Sequence, residues 1–253
     1  LTNPNSRPIF TLHFSYSSPS IHSGFEKIKR EREGGEVGYY RLPEESLSLL
    51  NWKPSIEFDE VVVVGIGGSS LGAKAVYHLN RHYYPVKPLY FLENPDPLDI
   101  LEQVERLKRP LFFVISKSGK TIETISIFKF LVERFQIKEG DPRVKIVTSS
   151  GSPLDRLGEE WELERFSIPR NVGGRFSVMS GVGVLPLLAA GFPVEELLKG
   201  GAEFRDRFFA GKEEHLAIKG AFYGDNWERY PINVLFAYST SLNFFKEWYV
   251  QLL

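Results

Sequence analysis

The chain is 253 residues long, with 31 Lys and Arg against 32 Asp and Glu, a formal charge of -1 and no cysteine. This balance offers no overall basic field for nucleic acid, and without cysteine there is no disulfide framework, thiolate metal site or cysteine nucleophile. No apolar run approaches the roughly 18 residues of a membrane span and no charged-then-apolar leader is read at the start, which fits a cytoplasmic enzyme.

Residues 1 to about 44 are polar, carry Pro4, Pro8 and Pro19, and read as an arm with one helix. The mixed-sign run Glu26 to Glu33 within it reads as a solvated helix face. From about Val61 the pattern becomes regular. Short β-branched or aromatic runs predict strands at about 60–65, 87–93, 111–115, 143–148 and 164–168, with stretches of helical length between most of them. Such alternation predicts an α/β fold, a doubly wound five-stranded parallel sheet covered on both faces, with right-handed crossovers. "VMSGVGVLPLLAAG" predicts an apolar helix closed by Gly191, followed by charged helical sequence to about Gly224. A strand at about 232–238 and a helix from about Ser241 come last. A lone parallel strand cannot satisfy its backbone, so the chain is expected to stop early in a second α/β domain. The expected divisions are an arm at 1–44, a first domain at 45–190, and linker helices with the first strand-helix unit of an incomplete second domain at 191–253.

The first strand runs into "VVVVGIGGSSLGAKAV", Val61 to Val76. A dinucleotide fingerprint needs G-x-G-x-x-G; Gly65 and Gly67 fit, but Ser70 holds the third place, while Glu93 could mimic the ribose-binding acid. A P-loop needs lysine where Ala73 stands. What remains is a glycine elbow with Ser69 and Ser70 at a helix start, suited to a phosphate and equally to simple N-capping. The third strand ends in "SKSGKT", with hydroxyls at Ser116, Ser118 and Thr121 and charge at Lys117 and Lys120. In a flavodoxin-like order, 2-1-3-4-5, strands one and three are neighbours at the topological switch point, where ligands bind. Two hydroxyl-rich turns facing one crevice point to a single phosphate monoester. A third element, "NVGGRFS", sets Gly173 and Gly174 for close backbone approach and Arg175 as a fixed charge before a helix.

With "GIGGSSLG", "ISKSGKTIET", "NVGGRFSVMSGVG" and "FFKEWYVQLL" in this order, the chain from about Val61 to Leu253 resembles the glucose-6-phosphate isomerase (phosphoglucose isomerase) family. The resemblance implies sugar-isomerase (SIS) domains, a homodimer, a hexose 6-phosphate substrate, and no nucleotide, metal or redox cofactor. It places phosphate recognition on Ser69, Ser116, Lys117, Ser118 and Thr121, and backbone contacts to the sugar at Gly68 and Gly174. Arg175 would stabilise an enediolate, Glu123 would orient a histidine from later in the family's sequence, and Gln251 matches an active-site glutamine. The implied reaction interconverts glucose 6-phosphate and fructose 6-phosphate through a cis-enediol, in glycolysis and gluconeogenesis. The family's base, a glutamate in an "AES-x-GK" segment, would fall two positions beyond Leu253, so a polypeptide ending there is expected to have negligible isomerase activity. His13, His22, His78, His82 and His215 do not align with the family's ring-opening histidine and are read as surface or structural. Three rival readings stand beside this one: a non-catalytic SIS-type phosphosugar sensor, an NAD-dependent dehydrogenase, and a dual phosphoglucose/phosphomannose isomerase. The aromatic cluster Phe244, Phe245, Trp248 and Tyr249 is read as a buried core or dimer face.

Overall fold

The computed structural model describes residues 15–253, so Pro4, Pro8 and His13 lie outside the described residues. In chain order the elements are helix α1 (Pro19–Gly34), the short α2 (Leu42–Glu45), strand β1 (Glu60–Val64), α3 (Leu71–Asn80), β2 (Leu89–Leu92), α4 (Pro97–Val104), β3 (Pro110–Ser116), α5 (Ile122–Arg134), β4 (Val144–Thr148), α6 (Pro153–Glu160), β5 (Glu164–Ser167), α7 (Gly181–Ala190), α8 (Val194–Phe209), α9 (Glu214–Asn226) and α10 (Asn243–Leu252). The strands form one parallel sheet in the order β2-β1-β3-β4-β5, as the strand spacing predicts.

The apolar runs of β1 and β3 have no polar alternation because both faces of the sheet are covered. Val61, Val63, Leu111, Phe113 and Ile115 belong to a core shared with α7. Val62, Val64, Phe112 and Val114 belong to a second core shared with α5. The register is set at the centre, where Val62 stands beside Phe112 on one side and Tyr90 on the other. The outer strand β5 is mostly exposed and charged. Its Arg165 pairs with Asp155 at 3.1 Å and Glu159 at 3.4 Å, a composition that discourages pairing with a stray strand.

The chain divides into two compact units, 36–203 with 235–253, and 1–35 with 204–234. The first contains the sheet. In the second, α1 packs on α9. Ser18 caps α1 and Gly35 ends it with φ 69°. Arg32 pairs with Asp206 at 3.3 Å, and Asp225 accepts hydrogen bonds from the hydroxyls of Tyr16, Ser18 and Ser20.

The helix after Ser241 is present as α10, entered through a 3-10 turn at Thr240–Leu242. The strand at 232–238 is not: no ladder forms there among the described residues. A strand exists only with a partner to pair its backbone, and here Ile232, Val234, Phe236 and Tyr238 are all exposed, from 72% to 92%. The alternation is genuine, but nothing in the described residues lies alongside to convert it into a strand.

α10 lies against α3. The His78 ring stacks on Phe244 with centroids 4.0 Å apart, and the Lys74 ammonium sits 4.6 Å above the same ring. His78 is thus structural, as expected. Desolvation, reinforced by Arg81, Lys74 and His82, lowers its pKa from 6.5 to about 4. The unfolded chain therefore binds a proton on this residue that the folded protein refuses. Stability should be full above pH 6.5 and decline as the pH falls toward about 4. Urea unfolding across this range should show that decline, and His78→Gln should flatten it.

Candidate functional site

The two hydroxyl-rich turns leave β1 and β3 side by side, because those strands pair from Glu60↔Pro110 to Val64↔Val114. Between them lies a cleft of about 690 Å³ that reaches across to the loop after β4. Of the residues assigned to phosphate and sugar, Gly68, Ser69, Lys117, Ser118, Thr121 and Gly174 line it.

Ser116 does not line the cleft. It is 2% exposed, its hydroxyl is 2.8 Å from that of Thr121, and it accepts from the Gly119 N–H at 3.1 Å. Ser116 therefore holds the turn from behind. Gly119 itself has φ +64°, and a Cβ there would meet Ser152 Oγ at 2.6 Å. Lys117 directs its ammonium to backbone carbonyls, donating to Arg170 O at 3.0 Å and Val172 O at 2.7 Å. It fastens the β3 turn to the segment that leads into "NVGGRFS". Ser118 accepts from the Lys120 N–H at 3.2 Å.

At the elbow, neither serine caps α3 through its side chain. Ser70 is fully buried and donates to Glu93, 2.5 Å away. Lys74 binds the other oxygen of the same carboxylate at 2.5 Å. Glu93 is thus committed to holding the elbow, which removes the group a dinucleotide ribose would need. Ser69 remains at the cleft.

The elbow glycines make room for other parts of the site. A Cβ on Gly68 would stand 2.4 Å from Gly174 C and 2.7 Å from Arg175 N, both backbone. A Cβ on Gly67 would meet Gln251 Nε2 at 2.6 Å. The close approach expected at Gly174 is therefore made by Gly68, with open space around the Cα of Gly174 on its own Cβ side. Ser177, missed from the sequence, is buried and donates toward both Gly174 O (2.6 Å) and Gly68 O (3.3 Å), tying the two loops together.

Arg175 and Gln251 flank this junction. Arg175 is exposed on the turn Gly174–Phe176, and its carbonyl accepts from the Trp248 indole N–H at 3.3 Å. Trp248, expected in a buried core or dimer face, is half-buried, and through this bond it also positions the turn. Gln251 brings its carboxamide to the elbow, and its Oε1 is buried without a hydrogen-bond partner among the described residues. An unpaired buried acceptor is costly unless a donor arrives. Glu123 is half-buried in the first turn of α5 and is not among the cleft lining.

The sequence reading also missed Ser149, Ser150, Arg156 and Arg170, which line the far side of the cleft. The available signal was "VTSSGSP" directly after β4, since ligands in open α/β sheets bind outside the carboxyl ends of the strands.

The protein is thus a doubly wound parallel sheet with a hydroxyl-lined crevice at its switch point, the place where ligands of such sheets bind. The family profile described as phosphoglucose isomerase matches residues 48–253. Among curated relatives, glucose-6-phosphate isomerase of Campylobacter jejuni is 36% identical over 96% of this chain and 62% of its own length. That of Methanocaldococcus jannaschii is 30% identical over 91% of this chain and 58% of its own. Among solved structures, a hypothetical protein from Thermus thermophilus superposes with a TM-score of 0.80 at 29% identity, over 92% of this chain and 59% of that one. A glucose-6-phosphate isomerase from Chlamydia trachomatis gives 0.68 at 26% identity, over 95% of this chain and 46% of that one. This chain belongs to the phosphoglucose isomerase family. It spans less than two thirds of the length of these curated relatives.

Gly68→Ala tests the elbow. The added methyl faces backbone, which cannot rotate away, so the β1 turn and the Gly174 turn must separate. Limited proteolysis should show the Gly174 turn cut faster than in the wild type, while the five-stranded core keeps the protein folded by circular dichroism.

Proposed function

We infer that this chain builds the phosphosugar site of an aldose–ketose isomerase that interconverts glucose 6-phosphate and fructose 6-phosphate. The observation that supports it most directly is the cleft between the β1 and β3 turns, lined by Ser69, Ser118 and Thr121, beside a buried glutamine acceptor that lacks a donor. The family membership supplies the reaction class.

Ser69, Ser118 and Thr121 donate hydroxyl hydrogen bonds to the phosphate oxygens. Lys117 contributes through the backbone it fastens and Ser116 through the turn it holds. Gly68 and Gly174 face the sugar with backbone groups. Phosphate binding, remote from the reacting carbons, orients the substrate and supplies energy for the chemical step. Moving a proton between C1 and C2 develops negative charge on an enediolate oxygen. A fixed cation stabilises that charge most when it is already in place, and Arg175 has this role. Gln251 accepts a hydrogen bond from a substrate hydroxyl through its unpaired Oε1. Glu123 orients a histidine. Pairing of two copies, placement in the cytoplasm and service in both glycolysis and gluconeogenesis belong to the same reading and rest on the family resemblance.

Thermal unfolding of this polypeptide with fructose 6-phosphate, with NAD as control, tests the site. Ligand at about 100 times its dissociation constant adds roughly 2.7 kcal/mol of stability and should raise the midpoint. A shift with NAD and none with the sugar phosphate would overturn the reading. In the complete protein, Arg175→Ala should lower kcat by about 10²–10³-fold while the dissociation constant for fructose 6-phosphate stays within a few-fold. Lost affinity with preserved turnover would show the role of Arg175 to be wrong.

A further inference from the structure

The chain as a whole is nearly neutral, with 31 basic and 32 acidic residues. Its cleft is not. Lys117, Lys120, Arg156 and Arg170 line it, and among the described residues no Asp or Glu does. The comparably sized hollow at the opposite ends of the strands mixes Glu57, Glu139 and Asp141 with its lysines and arginines.

The cations of the cleft divide into two kinds. Lys117 spends its ammonium on the carbonyls of Arg170 and Val172. Lys120, Arg156 and Arg170 are exposed and form no ion pair or side-chain hydrogen bond among the described residues. For Arg156 the reason is visible next door. The adjacent Asp155 is taken by Arg165 at 3.1 Å and by the Gly151 N–H at 2.8 Å, and Glu159 also faces Arg165. Arg165 thus occupies Asp155 and Glu159, two of the acids on the same helix as Arg156. On the β5 side, Glu164 is taken by Lys145 at 2.6 Å and by the Trp52 indole at 2.8 Å. The remaining positive charge converges from three segments, the β3 turn, α6 and the residues after β5, on a cleft whose other polar groups are mainly hydroxyls.

We propose that Arg156, with Lys120 and Arg170, is the charge-bearing part of the anion site, and that the β4 loop with Ser149 and Ser150 forms its second wall. This rests on the reading of the cleft as a phosphosugar site and deepens it. Hydroxyls of the β1 and β3 turns seat the phosphate, and the unpaired cations select a doubly charged monoester over an uncharged sugar. Lys120 stands within the "ISKSGKTIET" motif and Arg156 and Arg170 outside the quoted motifs, and the resemblance assigns none of the three to the phosphate. Arg156 presents a planar fork that matches two phosphate oxygens, which a lysine cannot reproduce.

The test is calorimetric titration of the protein with inorganic phosphate and, separately, fructose 6-phosphate, at low and moderate salt. Arg156→Gln should weaken both ligands by about tenfold or more and reduce the loss of affinity that salt causes in the wild type. Lys120→Gln, on a different segment, should reduce the salt sensitivity as well, and Arg156→Lys should recover part of the affinity. These residues are exposed, so the urea midpoint should stay put and confirm that folding is intact. If Arg156→Gln and the Arg156→Gln/Arg170→Gln double variant bind both ligands within twofold of wild type, with unchanged salt dependence, the proposal is overturned. If wild-type protein binds neither probe, the phosphosugar reading itself falls, a result distinguishable from selective indifference to the arginines.

Discussion

The pairing of β1 with β3 is the constraint on which the rest of this molecule depends. Both strands are buried along their whole length, and their alternate residues feed separate cores on the two faces of the sheet. A slip of one residue would exchange those faces throughout, so the register is held by the full weight of both cores. The two turns that leave these strands are consequently placed side by side, at a fixed height, before any residue in them interacts. The cleft is a by-product of that placement, built from short polar loops without distorting the fold.

The elbow acts as a joint among several segments. Gly65 is pressed by Ile115 O, Gly67 by Gln251, Gly68 by Gly174 and Gly72 by Val178, each closer than a Cβ would permit. The glycine spacing that superficially resembles a nucleotide fingerprint is therefore explained by four different packing partners. Beneath it, the Ser70–Glu93–Lys74 bridge fixes the loop from inside. Above it, Ser177 and Trp248 hold the Arg175 turn against the elbow and α10. Such a frame fixes the backbone from which Arg175 projects.

Charge is distributed with the same division. At the amino ends of the strands, away from the cleft, charges are held in pairs: Lys145 is fully buried beside Glu164, and Arg143 is locked to Asp141, whose pKa Arg143 holds below the usual range against the opposing cost of burial. Of the charged residues that line the cleft, those left without a partner among the described residues, Lys120, Arg156 and Arg170, are positive.

Much of the architecture was legible in the sequence because it rests on local pattern. Unbroken β-branched runs such as Val61 to Val64 announced strands buried on both faces, Gly191 announced the end of α7, and the two hydroxyl-rich turns announced the crevice. The strand expected at 232–238 failed for a physical reason of the same clarity: alternation is a local property, whereas a strand needs a neighbour, and none of the described residues provides one. Local pattern also could not distinguish residues that face the cleft from those that support it. Ser116 and Ser118 are two positions apart in one motif, yet one is buried behind the turn and the other lines the cleft. Lys117 and Arg156 carry the same charge, yet only the first is spent on carbonyls. Composition and periodicity determined the layers of this protein, since burial depends on each residue's own chemistry. Which charges remain free was decided by tertiary structure alone, because that depends on partners brought from distant parts of the chain.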